Sequence, residues 1–154
     1  MQLTQATDYS FRVVLYLAAL DPGAIVSAKD ISTHENVPMR FLLKTLRSLV
    51  KAGILRSYRG PDGGYALAKQ PENITLRDVI EAVEGPLYIN RCFIDEDYCS
   101  KHWTSACPVH RALGDVQRKL VQELDKHNFA DLLAHNRQDQ GKNSGRLLVS
   151  VSTG

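Results

Sequence analysis

Residues 38–69 read PMRFLLKTLRSLVKAGILRSYRGPDGGYALAK, and the stretch divides into three parts. Leu42, Leu46, Leu49 and Val50 recur at helical spacing between about Met39 and Ala52, and Gly53 closes that helix. ILRSY (54–58) and YALAK (65–69) read as short strands, with RGPDGG (59–64) as the turn between them. A helix running straight into a β-hairpin is the second half of a winged helix, so a shorter helix should precede it.

The preceding residues supply one. In TDYSFRVVLYLAAL (7–20), Phe11, Val14, Leu15 and Ala18 mark a first helix, with Thr7 or Asp8 as its cap and Asp21-Pro22-Gly23 as its stop. Ser27 caps a second, Ala28 to about Glu35, with Asp30 near its start. Asn36-Val37-Pro38 is a tight connection, and Pro38 suits the first turn of the third helix. Two short helices joined by a brief turn predict a helix-turn-helix. TLRDVIEAVE (75–84) adds a fourth helix, capped by Thr75 and stopped by Gly85-Pro86.

Pro108 starts a long helix reaching about His127, with Val109, Leu113, Val116, Leu120 and Leu124 along one stripe. The winged region reads as complete without it, so a second copy of the chain is expected to cover the stripe. Phe129, Leu132 and Leu133 predict a last short helix, and the polar, Gly-containing end from Gln138 a mobile tail. The expected fold is mainly α with a small β-hairpin wing: a winged helix-turn-helix plus a long dimerisation helix. The division is 1–86 for the winged domain, 87–107 for a cysteine-bearing loop, 108–137 for the dimerisation segment and 138–154 for the tail.

The 154 residues suffice for one domain with a core, and a net charge of +2 says little about partners. Its distribution says more. Between Pro38 and Arg59 stand Arg40, Lys44, Arg47, Lys51, Arg56 and Arg59 with no acidic residue. The first four share a helix face opposite the leucines. That arrangement points to a helix in the major groove of a double-stranded DNA operator, its cations neutralising phosphates and reading guanines. Arg47 and Lys51 are expected on phosphates or in solvent rather than on bases. Arg59 and the turn glycines would reach a neighbouring minor groove or the backbone. The candidate DNA contacts are Ser27, Pro38, Met39, Arg40, Lys44, Arg47, Arg56, Arg59, Gly60, Gly63 and Gly64.

No apolar run is long enough for a membrane span, and MQLTQATDYSFR lacks the layout of a secretory signal, so no membrane partner and a cytoplasmic location are expected. All three cysteines fall in CFIDEDYCSKHWTSACPVH (92–110). An odd number cannot pair completely within one chain, which leaves inert thiols, reactive thiols or metal ligands. The gaps of six and seven residues between Cys92, Cys99 and Cys107 fit neither a zinc finger nor a common ferredoxin run. No phosphate loop, nucleophile elbow or paired catalytic carboxylates appear, so an enzyme is not expected.

The opening MQLTQATDYSFRVVLYLA, the wing segment LVKAGILRSYRGPDGGYALAK with its RGxxGGxxL pattern, ITLRDVIEAVEG, the cysteine loop and the long helix follow in the order of one family. Along nearly its whole length the chain resembles the IscR/NsrR (Rrf-type) winged-helix transcription regulators. The resemblance implies a homodimer and, with three cysteines present, an iron–sulfur cluster on Cys92, Cys99 and Cys107. His110, in CPVH, matches the histidine that completes a [2Fe–2S] site in IscR-like members. Asp8, in TDY, matches the aspartate by which an NsrR-like partner subunit ligates a [4Fe–4S] cluster. The [2Fe–2S] reading with His110 is preferred and the [4Fe–4S] reading with Asp8 stays open. Leu43 stands near a point where IscR-like members that change DNA specificity with cluster state carry a glutamate, so that switch is not expected here. The function implied is a DNA-binding regulator, a repressor, sensing iron, nitric oxide or redox state. The alternative is a clusterless or zinc-bearing regulator whose thiols sense oxidants directly.

Overall fold

The computed structural model describes residues 2–136. Its first helix, α1 (Gln5–Ala18), starts earlier than the sequence suggests. Thr4, not Thr7 or Asp8, is the cap, its side chain accepting from the Thr7 N–H. The reason lies at the far end of the fourth helix. The Glu84 carboxylate accepts from the Thr4 N–H at 2.8 Å and from the Thr7 hydroxyl at 2.5 Å. Thr7 is thereby used inside the first turn, wholly buried. The Thr4 N–H, and then the Thr7 hydroxyl, hold the Glu84 carboxyl below the usual carboxylate range.

Helix α2 (Ala28–Glu35) follows, with Ser27 as cap and Asn36 in the left-handed conformation at its end. Helix α3 (Met39–Lys51) follows with Pro38 at the cap position rather than inside the first turn, and Gly53, at φ +72°, turns the chain out. Strands β1 (Leu55–Tyr58) and β2 (Gly64–Leu67) pair antiparallel, with Leu55 opposite Leu67 and Tyr58 opposite Gly64. Each is one residue shorter than the sequence reading, and β2 starts one residue earlier. A third piece of backbone, which that reading missed, completes the wing: Val26 exchanges both backbone hydrogen bonds with Tyr65. Helix α4 (Leu76–Glu84) carries a capping box between Thr75 and Asp78.

The core lies among α1 to α4 and the wing. Val13, Val14, Ile31, Leu42, Leu46 and Leu49 have no accessible surface. One further member comes from outside that unit. After the long helix α5 (Pro108–Lys126) the chain turns back to α4. Leu76 donates to the His127 carbonyl and Phe129 to the Ile74 carbonyl, at 2.9 and 3.0 Å. Phe129, at the start of a short helix over 129–136, is 1% exposed and belongs to the same core. The winged region of residues 1–86 is thus not finished without the C-terminal segment, contrary to the sequence reading. Residue 137 and the expected tail at 138–154 lie outside the described residues.

Helix α5 spans 19 residues and buries none of them within the chain. Leu113, Leu120 and Leu124 are half-buried, while Val109 and Val116 are 62% and 54% exposed. Arg77 of α4 holds Asp125 of α5 at 3.1 Å. No helix among the described residues is long and apolar enough to cross a membrane.

Phe129→Ala should cost about 3–5 kcal/mol, the usual range for emptying a buried phenylalanine site. Urea unfolding of the full chain checks this, and a loss below about 1 kcal/mol would mean the winged core closes without residue 129.

Candidate functional site

On α3 the buried residues Leu42, Thr45, Leu46 and Leu49 occupy one side. Arg40, Lys44, Arg47 and Lys51 occupy the other and are all exposed. The division follows from helical geometry: residues three and four apart stack on one face, so burying the leucines turns the cations outward. Elsewhere five cations are tied to carboxylates: Arg12 to Asp8, Arg77 to Glu81 and Asp125, Arg91 to Asp95, Arg118 to Asp115, and Lys126 to Glu123. Among the described residues no ion pair involves Arg40, Lys44, Arg47, Lys51, Arg56 or Arg59. Their field is therefore not cancelled locally, which suits a polyanion.

The remaining candidate contacts divide by role. Pro38 and Met39 stand exposed at the start of α3, and Arg40 stacks on the Phe41 ring at 4.5 Å. The Ser27 hydroxyl is taken by Asp30, accepting from its N–H at 3.1 Å and donating to its carboxylate at 2.7 Å. Arg56 projects from β1 over a groove shared with Tyr58, Leu67 and Lys69. Arg59 is exposed at the wing turn, where Gly60 has φ +103°. Gly63 and Gly64 are needed for space: a Cβ would lie 2.3 Å from the Tyr58 carbonyl oxygen and 2.2 Å from that of Val26. Those two glycines shape the wing by letting backbone approach backbone.

The second cluster lies at the start of α5. Cys92, Cys99, Cys107 and His110, with Asn90, Tyr98, Thr104 and Val109, line one cavity of about 200 Å³. All three thiols are free and half-buried. The backbone places each one differently. Cys92 sits in a 3₁₀ turn (Arg91–Phe93), and its sulfur is 3.2 Å from His110 Nδ1. Cys107 caps α5, its sulfur accepting from the His110 N–H at 3.4 Å. Cys99 is surrounded by N–H groups: those of Trp103, then Lys101, with that of His102 and the Lys101 charge, pull its pKa below the ordinary thiol value against a smaller desolvation effect.

Asp8 is not in this cavity. It lies exposed on α1, paired with Arg12 at 2.5 Å. Among the described residues no group of three or more His, Cys, Asp or Glu side chains could hold a metal ion as they stand. The sequence reading overlooked two neighbours of the site. The Phe93 ring tilts against the His110 ring at 4.6 Å, and Gln117 of α5 bonds the backbone at Leu87 and Ile89. An apolar residue beside a cysteine and a glutamine seven residues after His110 carry no signal of their own.

Helix-turn-helix, wing and free basic face together define a winged-helix transcription regulator. The chain belongs to the Rrf2 family, described as iron-dependent transcriptional regulators, which it matches over residues 3–135. Members of this family are transcription regulators that bind DNA and are typically dimeric. Among solved structures it is similar to a Listeria innocua protein described as a transcriptional regulator, at 31% identity over 88% of each chain with a TM-score of 0.68. It is also similar to CymR, the global cysteine regulator of B. subtilis, at 26% identity, covering 88% of this chain and 98% of that one, TM-score 0.62. T. potens IscR shares the fold at 24% identity over 91% of each chain, TM-score 0.70.

In the reduced, metal-free protein, alkylation of Cys99 should have its pH midpoint below that of an unperturbed thiol. Its thiolate is stabilised, so reactivity rises earlier as pH increases. Peptide mass spectrometry after iodoacetamide pulses across a pH series checks this, and a midpoint at or above the ordinary value contradicts it.

Proposed function

We propose that the chain is a homodimeric repressor whose DNA affinity is set by an iron–sulfur cluster on Cys92, Cys99 and Cys107. The observation that carries this reading is the single cavity lined by all three thiols and the His110 imidazole. Three thiols and an imidazole are donors that iron–sulfur clusters take.

His110 is the proposed fourth ligand, since it alone of the two candidates faces the cavity, which favours a [2Fe–2S] cluster. Asp8 would have to come from a second copy and leave Arg12, the route to a [4Fe–4S] cluster. When bound, the cluster supplies redox and iron-exchange chemistry. The chain's own part is mechanical. Cys107 both caps α5 and lines the cavity, so order in the loop and order in the first turn of α5 rise and fall together. Because α5 leaves Val109 and Val116 exposed and the leucines of its stripe only half-buried, a second copy packed there would relay that change to two recognition helices, one per half-site. The DNA-binding set is the α3 face, Arg40, Lys44 and Arg47, with Pro38 and Met39 at its start and Ser27 supporting α2. Arg56, Arg59 and the Gly60–Gly64 turn form the wing contact.

The thiol-sensor reading has one supporting observation, the lowered pKa of Cys99. Anaerobic purification, an absorption spectrum and iron and sulfide assays separate the two. A coloured protein with matched iron and sulfide, lost in Cys92→Ala, is expected. A colourless protein even after reconstitution would shift the reading to direct thiol chemistry. In the coloured protein, His110→Ala should destabilise the cluster more than Asp8→Ala, and the reverse order would favour the second copy's aspartate.

For the DNA face, Arg40→Ala and Lys44→Ala should each weaken operator binding and reduce the slope of log affinity against log salt by about 1. Fluorescence anisotropy across a salt series with an operator obtained by in vitro selection checks this. Unchanged slopes in both variants would reject the assignment of that face.

A further inference from the structure

The arm that leads into the cysteine loop runs along α5 in the opposite direction, and three positions on one face of α5 each meet it. At the near end, Gln117 Oε1 accepts from the Ile89 N–H and Gln117 Nε2 donates to the Leu87 carbonyl, both at 3.0 Å. One amide thus closes a bidentate bridge to the backbone, as a neighbouring strand would. One turn back, Phe93 lies against Gly114, its Cε1 3.7 Å from where a Cβ would stand, an ordinary van der Waals distance. At the far end, His110 meets the Phe93 ring at 4.6 Å and the Cys92 sulfur at 3.2 Å. Positions 110, 114 and 117 are spaced four and three apart, so they form one stripe. Leu87, Ile89, Cys92 and Phe93 are half-buried against it, while Tyr88 between them is 42% exposed.

We propose that His110, Gly114 and Gln117 form a track for this arm, and that Gln117 is a positioning residue which sets where Cys92 stands relative to Cys107 and His110. The bridge uses no thiol, so it holds the arm in the metal-free chain as well. Its consequence for a cluster rests on the metal reading above, but its effect on Cys92 does not. The segment free to reorganise then begins after Ile89 and ends at Cys107, and α5 keeps its grip on the base of the loop.

The test compares Gln117→Leu, which keeps the size and removes both hydrogen bonds, with Gln117→Glu, which keeps the acceptor for Ile89 and loses the donor to Leu87. The first readout is the iodoacetamide alkylation rate of Cys92 in reduced, metal-free full-length protein, with Cys99 as internal reference. Gln117→Leu should raise the Cys92 rate relative to Cys99 by about thirtyfold, the factor by which losing two ordinary hydrogen bonds favours local opening. Gln117→Glu should fall between, and thermal unfolding of the glutamate variant reports whether the fold is kept.

The second readout is the visible and electron paramagnetic resonance spectrum after anaerobic reconstitution, with the rate of bleaching by a chelator. A changed spectrum and faster bleaching in Gln117→Leu support the positioning role at the metal site. Equal Cys92 rates in wild type and both variants overturn the proposal whatever the metal content. A shifted Cys92 rate in a protein that takes up no cluster leaves the track standing and removes the metal reading instead.

Discussion

Burial of Leu42, Leu46 and Leu49 on one side of α3 is the contact on which the rest of the structure depends, because it settles two things with one rotation of the helix. It locks α3 against α1, α2 and α4, and it leaves the opposite side, with Arg40, Lys44, Arg47 and Lys51, in solvent. A helix offset by one residue would bring cations toward the core, where an unpaired charge costs several kcal/mol by order of magnitude. Stability and the basic surface are therefore not separate achievements. The wing follows directly, since Ile54 and Leu55 are buried at its root and Val26 pairs with Tyr65 at its back.

The long helix connects this unit to the cysteines. At one end Cys107 caps it and His110 faces the cavity. In the middle Gln117 grips the arm that leads to Cys92. At the other end Asp125 pairs with Arg77 of α4, and the chain then returns Phe129 to the winged core. The same helix that borders the proposed metal site is thus attached twice to the domain that carries the basic face. That is a short mechanical path, and the partly exposed apolar stripe of α5 lies along it.

Much of this was legible in the residues. Leucine periodicity located α3, the RGPDGG turn located the wing, and Thr75 located the start of α4, because each signal is local and acts through its own few residues. The failures were where the partner is distant in sequence. Thr4 rather than Thr7 caps α1 because Glu84, eighty residues away, takes the Thr7 hydroxyl. Val26 joins the wing because Gly64 has no Cβ to keep its backbone away. The three cysteines and His110 were visible as a set, but Phe93 and Gln117 beside them were not, being ordinary residues made specific only by what they touch.

By itself the sequence determined the order of the elements, the face of α3 that is basic and the segment that holds every thiol. These depend on periodicity, turn chemistry and residue identity, which are properties of neighbours along the chain. Only the tertiary structure decided that Phe129 completes the winged core, that Asp8 stands apart from its own chain's cysteines, and that His110 faces Cys92, eighteen positions earlier in the chain. The physical reason is the same in each case. Burial and hydrogen bonding between distant segments select among placements that local propensity leaves nearly equal in energy.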